Sequence, residues 1–97
     1  MELKFEWDQK KNTANIIKHG VSFREADKVF LDPKCIEKYD IKHSFSEDRW
    51  KVIGLSGSIV YTVIFTRRNG KIRIISVRKA DKKEIERYFY GYGKIYN

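Results

Sequence analysis

The dipeptide Asn69-Gly70 is the feature that most constrains the fold, because it separates two apolar runs with the composition of β-strands. Both residues tolerate the positive φ that a two-residue hairpin turn requires. We therefore predict an antiparallel hairpin with strands over about residues 59–67 and 71–78.

The pairing that follows from this turn decides which side chains share a face of the sheet. An uninterrupted ladder pairs Phe65 with Ile74, Val63 with Ser76, and Tyr61 with Arg78. Under this prediction Tyr61, Ser76 and Arg78 cluster on one face, at one end of the central strands.

A further strand, over about residues 49–55, precedes the turn at Ser56-Gly57-Ser58, and the length of that turn is left open. A three-residue loop at 56–58 puts Arg49 and Lys51 on the face of Arg78. A two-residue loop at 57–58 puts Gly54 there instead, and it sends Arg49 to the opposite face.

Two short helices are predicted ahead of the sheet. Asp8 can cap a helix over about residues 9–18, and Gly20 suits the left-handed conformation that often follows a helix. A second helix begins at Ser22, which stands at capping-box spacing from Glu25.

A third helix directly follows the hairpin. Asp81 is its predicted N-cap, with Glu84 at capping-box spacing. Helical spacing assigns its apolar face to Ile85, Tyr88, Phe89 and Tyr92. With a weak strand over about residues 35–41, the order of elements is α–α–β–β–β–β–α. We therefore predict one α+β domain over residues 1–97, with two N-terminal helices, a four-stranded antiparallel sheet and a C-terminal helix.

Charge is divided unevenly along the chain. Residues 1–48 carry 9 Lys and Arg against 10 Asp and Glu, whereas residues 49–97 carry 12 against 3. The formal net charge of +8 therefore comes from the second half. A basic domain suits nucleic acid, an anionic membrane surface or an acidic protein. We favour nucleic acid, because the apolar face of the last helix is more simply a core face than a membrane-binding one.

Composition excludes several classes of protein and site. The single cysteine, Cys35, cannot form an internal disulfide, which indicates a reducing compartment. The chain has no apolar run near about 18 residues and no signal-peptide pattern at its acidic start, so we expect it in the cytoplasm. His19, His43 and the cysteine lack metal-ligand spacing and no Gly-rich phosphate loop is present, so we expect no metal and no cofactor.

Arg78 is the strongest candidate for a functional residue. It lies beyond an apolar strand and beside a helix start, where a guanidinium can hold a phosphate. The basic residues of this half are interleaved with aromatic residues, namely Trp50, Tyr61 and Phe65. Cations for phosphates and aromatic faces for stacking suit single-stranded RNA.

Two residues of the first helix need a separate explanation. Asn is a poor helix former, so Asn15 in mid-helix predicts a side-chain hydrogen bond to a neighbouring loop. His19 could act with His43 as an acid–base pair. At a helix end, just before Gly20, His19 more simply interacts with the last carbonyl groups.

Three runs of this sequence resemble the BrnT toxin family. The first is F-x-W-D-x-x-K-x-x-x-N-x-x-K-H-G-V-S-F-x-x-A, from Phe5 to Ala26. The second contains His43, Glu47, Arg49 and Gly54. The third is R-I-I-S-x-R-x-A-x-x-x-E-x-x-x-Y, from Arg73 to Tyr88. The resemblance spans about residues 5–88, and the three runs occur in the family's order.

This resemblance implies a RelE-like fold and a ribonuclease toxin of a type II toxin–antitoxin module. It further implies a BrnA-like antitoxin as partner, growth arrest by RNA cleavage, and a complex that represses its own operon through the DNA-binding antitoxin. The alternatives from other classes are a non-catalytic RNA- or DNA-binding module and a protein whose basic half docks an acidic partner.

The predicted mechanism is metal-independent attack by the ribose 2′-hydroxyl. Arg78 and Arg49 are predicted to stabilise charge on the phosphate, with Glu47 or His43 as the base. Tyr88 or Tyr61 is predicted as an acid or stacking partner. The other predicted RNA-binding residues are Tyr61, Arg73, Ser76 and Lys79.

Overall fold

The computed structural model describes residues 3–91, except for the side chain of His43. Its strands are β1 (Phe5–Glu6), β2 (Ile36–Tyr39), β3 (Trp50–Ser56), β4 (Ile59–Arg68) and β5 (Lys71–Lys79). Its α-helices are α1 (Gln9–His19), α2 (Ala26–Leu31) and α3 (Lys82–Tyr90). Short 3₁₀ turns at Phe23–Glu25 and Ile41–His43 precede α2 and β3 respectively. No helix within residues 3–91 is long and apolar enough to cross a membrane.

The predicted α+β class is confirmed, but the prediction of a four-stranded antiparallel sheet is wrong. The five strands lie in the order β1-β5-β4-β3-β2. The added strand, β1, pairs in parallel with β5, with Phe5 beside Ile72 and Glu6 beside Arg73. A two-residue strand carries almost no periodicity of its own, so the sequence pattern did not predict it. It forms because the edge of β5 is available to it.

The main hydrophobic core covers one face of the sheet, which we call the core face. Side chains of β3, β4 and β5 pack there against α2 and the preceding turn. The largest fully buried side chains of this core are Phe23, Val29, Val52, Val63, Phe65, Ile74 and Val77. Gly54 lets α2 approach closely, since a Cβ on it would lie 3.0 Å from the carbonyl oxygen of Val29. The opposite face, which we call the second face, carries the side chains that alternate with these.

The turn between β3 and β4 has two residues, because Ser56 pairs with Ile59 and Gly54 with Tyr61. The two-residue alternative for this turn is therefore confirmed. Tyr61 points to the core face, where its side chain belongs to the main core and is 8% exposed.

The register of β4 with β5 shifts between Phe65 and Ile64, counting from the turn. Phe65 pairs with Ile74 as predicted, and Ile64 then pairs with Ser76, so Ile75 is left as an extra residue. The predicted pairs of Val63 with Ser76 and Tyr61 with Arg78 are wrong, because this β-bulge moves the later residues of β5 by one position. Ser76 and Arg78 consequently lie on the second face, opposite to the face of Tyr61.

The α1 helix is fastened to the free edge of β5 by a side chain. The Nδ2 of Asn15 donates to the carbonyl oxygens of Val77 at 2.7 Å and Val21 at 3.0 Å. Its Oδ1 accepts from the backbone N–H of Val77 at 3.2 Å. The predicted bond to a neighbouring loop is confirmed by Val21. The two bonds to Val77 complete the edge of β5 where β1 no longer accompanies it.

The α3 helix packs on the second face and covers part of it. The capping box between Asp81 and Glu84 is confirmed. The predicted apolar face is correct for Tyr88, which is 8% exposed, but wrong for Phe89, which is 59% exposed; Tyr92 lies outside the described residues. Glu84, only 5% exposed, takes the buried position one turn before Tyr88. The helix is rotated from the expected orientation because Glu84 makes polar contacts with the sheet.

Candidate nucleic-acid site

The uncovered part of the second face contains a depression of about 320 Å³. The described residues that line it are Lys18, His19, Arg49, Ile64, Ile75, Ser76 and Arg78. They come from α1, from the residue before β3, and from β4 and β5. Three of them are Lys or Arg, so this hollow presents concentrated positive charge to solvent.

The depression brings Arg49 and Arg78 together, which the two-residue β3–β4 turn seemed to exclude. That exclusion assumed that Arg78 faces Tyr61, and the bulge at Ile75 reverses the face of Arg78. Arg49 is held by its backbone, which donates to Ser44 Oγ at 2.9 Å and accepts from the N–H of Asp40 at 2.8 Å. The Nε of Arg49 is buried without a hydrogen-bond partner in the described part of the chain.

Arg78 is oriented by a carboxylate from α3. Its two terminal nitrogens donate to Glu84, at 2.7 Å to Oε1 and 3.0 Å to Oε2. Lys51 Nζ donates to the same Oε2 at 3.1 Å, and the backbone N–H of Asp81 donates to Oε1 at 2.8 Å. One buried carboxylate thus holds two cations, of which Arg78 lines the depression.

These contacts change the acid–base properties of the pair. Burial alone raises the pKa of Glu84, but the hydrogen bonds from Arg78, Asp81 and Lys51 outweigh it and lower that pKa to about 2. The hydrogen bonds that Arg78 donates to Glu84 raise the pKa of Arg78 above its ordinary value. Both groups are therefore fully charged at neutral pH.

Glu47 stands at the margin of the site. Its carboxylate accepts from Arg68 at 2.9 Å and lies 4.0 Å from the guanidinium of Arg49. The hydrogen bond from Arg68, followed by the charges of Arg68 and Arg49, lowers the pKa of Glu47. A lowered pKa makes a carboxylate a weaker base. His43, the predicted alternative to Glu47 as the base, ends a 3₁₀ turn. Its side chain lies outside the described part of the structure.

Of the remaining predicted residues, Ser76 lines the depression and the others have different surroundings. The Tyr88 hydroxyl donates to Asp32 at 2.5 Å. Burial and the nearby carboxylate of Asp32 raise the pKa of Tyr88 to about 12. Arg73 pairs with Glu6 at 3.3 Å, while Lys79 is exposed at the end of β5.

Three residues that were not predicted as site residues belong to this region: Lys18, Lys51 and Glu84. His19, considered from the sequence as a possible acid–base partner of His43, also lines the depression. The spacing of Asn15 and His19 carried a usable signal, since residues four apart share one side of a helix. For Glu84, the capping-box assignment concealed a second role, because one side chain serves both the cap and Arg78.

Comparison with known proteins identifies the family of this chain. No curated protein sequence matches the chain. A family model described as "Ribonuclease toxin, BrnT, of type II toxin-antitoxin system" matches residues 7–84, which include α1, the whole of β2 to β5 and Glu84. The chain therefore belongs to the BrnT family of ribonuclease toxins of type II toxin–antitoxin systems.

Proposed function

We propose that the chain is a metal-independent endoribonuclease that uses the depression on the second face as its active site. The observation that carries this proposal is that Arg49, just before β3, and Arg78, in β5, line one solvent-open hollow. The ribose 2′-oxygen attacks the adjacent phosphorus, forming the P–O2′ bond while the P–O5′ bond breaks. The products end in a 2′,3′-cyclic phosphate and a 5′-hydroxyl.

The arginines supply the charge that this reaction needs. An arginine has five N–H donors, and the described bonds of Arg78 to Glu84 and to the Lys79 carbonyl use three of them. The donors that remain on Arg78, together with the guanidinium of Arg49, can bind phosphate oxygens as negative charge develops in the transition state. Because the guanidinium of Arg78 is already oriented by Glu84, little rearrangement is needed on binding.

Metal independence is supported by the chemistry of the lining. Lys18, Arg49 and Arg78 repel a divalent cation and offer no oxygen ligand for one. Their positive charge takes the place of a metal ion in neutralising the phosphate. Tyr88 bonds to Asp32 and stays protonated, so the proposal assigns it no proton-transfer step.

The biological setting follows from family membership. We infer that a BrnA-like antitoxin neutralises the toxin in the cytoplasm by covering the basic depression. The antitoxin would supply DNA binding when the complex represses its own operon. Free toxin would arrest growth by cutting cellular RNA.

The test uses labelled single-stranded RNA in EDTA with the purified chain. We expect fragments ending in cyclic phosphate, and an Arg49→Ala variant should cut ~10²–10³-fold more slowly, as for loss of one transition-state donor. Arg78→Lys keeps the charge of Arg78 but loses its fork, and it should also be slower. Arg24→Ala is the matched control, since Arg24 is exposed and lies away from this depression.

Binding that weakens steeply with salt and yields no product would instead identify a non-catalytic nucleic-acid-binding module. Neither binding nor cleavage would leave partner docking as the role of the basic half. Cleavage that EDTA abolishes would refute the metal-independent mechanism.

A further inference from the structure

We propose that His19 is the general base that removes the 2′-proton, an inference that rests on the ribonuclease function proposed above. Imidazole is the side chain whose charge changes between about pH 5 and 8 without perturbation. Among the described residues that line the depression, His19 is the one of this kind. The others are cations, two isoleucines and the hydroxyl of Ser76.

The position of His19 is set by the Asn15 contact with β5. Asn15 binds both backbone polar groups of Val77, whose two chain neighbours, Ser76 and Arg78, line the depression. Because Asn15 and His19 are four residues apart in α1, the same side of the helix carries the imidazole toward these residues. The helix ends at His19, and Gly20 follows with φ of 73°. Asn15 is therefore a positioning residue for the base.

A second hollow adjoins the first, and His19 lies between them. It has a volume of about 210 Å³ and shares Lys18, His19, Ile75 and Ser76 with the larger depression. Its own residues include Lys11 and Asn15. An RNA strand lying across both hollows would place one nucleotide on each side of the imidazole. The scissile phosphate would then lie near Arg49 and Arg78, with the attacking ribose beside the ring.

The described charged residues that line the two hollows around this ring are all Lys or Arg. Lys11 and Lys18 belong to its own helix, Arg49 precedes β3, and Arg78 belongs to β5. The carboxylate predicted as a base, Glu47, is weakened by its ion pairs with Arg68 and Arg49. A neutral imidazole accepts the 2′-proton without adding an anion to the site, and the substrate phosphate offsets the cations.

In this step one bond to phosphorus forms and one breaks, and each proton that is removed is returned. His19 takes the proton of the 2′-hydroxyl as O2′ bonds to phosphorus. The P–O5′ bond breaks, and solvent water protonates the departing 5′-oxygen. His19 then returns its proton to solvent, so no oxidant or cofactor takes part.

The experiment measures kcat/KM against pH for the wild type, His19→Gln and Ile17→Ala, the last a control at an exposed neighbouring position on α1. We expect wild-type activity to rise with pH through the imidazole range and then level off. His19→Gln should lose ~10²–10⁴-fold in rate together with that rise, as for loss of a general base. Ile17→Ala should match the wild type.

A substrate with a 5′-sulfur leaving group separates base from acid, since a thiolate leaves without a proton. For a general base, His19→Gln remains equally impaired on this substrate; restoration of its rate would identify an acid and overturn the proposal. A His43→Gln variant that loses the pH-dependent rise, while His19→Gln keeps it, also overturns the proposal.

The two proposals can fail separately. A wild type that cuts no RNA removes the ribonuclease function and this inference together. A wild type that cuts RNA with no rise through the imidazole range removes the role of His19 alone, whether or not the variant folds.

Discussion

The buried carboxylate of Glu84 should link the stability of this protein to pH. In Glu84→Gln the side-chain shape is kept, and the amide oxygen can still accept from the N–H of Asp81. The negative charge between Arg78 and Lys51 is lost, although both cations remain close together. We expect a large loss of folding free energy at neutral pH.

The size of this loss follows from the pKa. Folding lowers the pKa of Glu84 from its ordinary 4.5 to about 2, which corresponds to about 3 kcal/mol of stability at neutral pH. Because the folded-state pKa is depressed, this stability is fully present above the unfolded value and is lost as pH falls toward 2. At pH 3, about 1 kcal/mol of it should remain.

The assay is urea unfolding followed by tryptophan fluorescence at pH 7 and pH 3. Wild type should exceed Glu84→Gln in unfolding free energy by about 3 kcal/mol at pH 7 and by about 1 kcal/mol at pH 3. Glu86→Gln is the matched control, because Glu86 is exposed on the same helix, and it should change stability by less than about 0.5 kcal/mol. An equal difference between wild type and Glu84→Gln at both pH values would refute the reasoning.

Two further substitutions test the packing that builds the site. Gly54→Ala places a Cβ 3.0 Å from the carbonyl oxygen of Val29 in α2, so it should lower the unfolding free energy by about 1–3 kcal/mol in urea titrations. Unchanged stability would show that α2 shifts freely. Asn15→Ala strands buried backbone groups of Val77, at a cost of about 1–3 kcal/mol for each. In native-state hydrogen exchange, the Val77 amide should then exchange its hydrogen faster. Unaltered exchange would contradict the role of Asn15 in holding the edge of β5.

Local signals predicted much of this fold. The Asn69-Gly70 turn is observed, with Arg68 paired to Lys71 across it. Asp8 caps α1, Gly20 ends it in the left-handed conformation, and Asp81 opens α3. Caps and turns are made by residues close together in the sequence, so their geometry depends little on the rest of the molecule.

The site was only partly predictable, since its assembly depends on contacts between distant residues. Arg49, Arg78 and Ser76 were identified as candidates from the sequence, and they do line one depression. Their common face was not predictable from turn lengths, because the bulge at Ile75 leaves no mark in an apolar strand pattern. Nor does any local rule pair Arg78 with Glu84 across the strand–helix junction.

The sequence by itself determined the α+β class, the positions of most elements, the basic second half and the family to which the chain belongs. Only the tertiary structure decided the parallel pairing of β1, the face of Arg78 and the side of α3 that is buried. The physical reason is the same for all three. Each depends on which backbone edges and buried charges find partners when the chain is compact, and no local sequence pattern specifies that pairing.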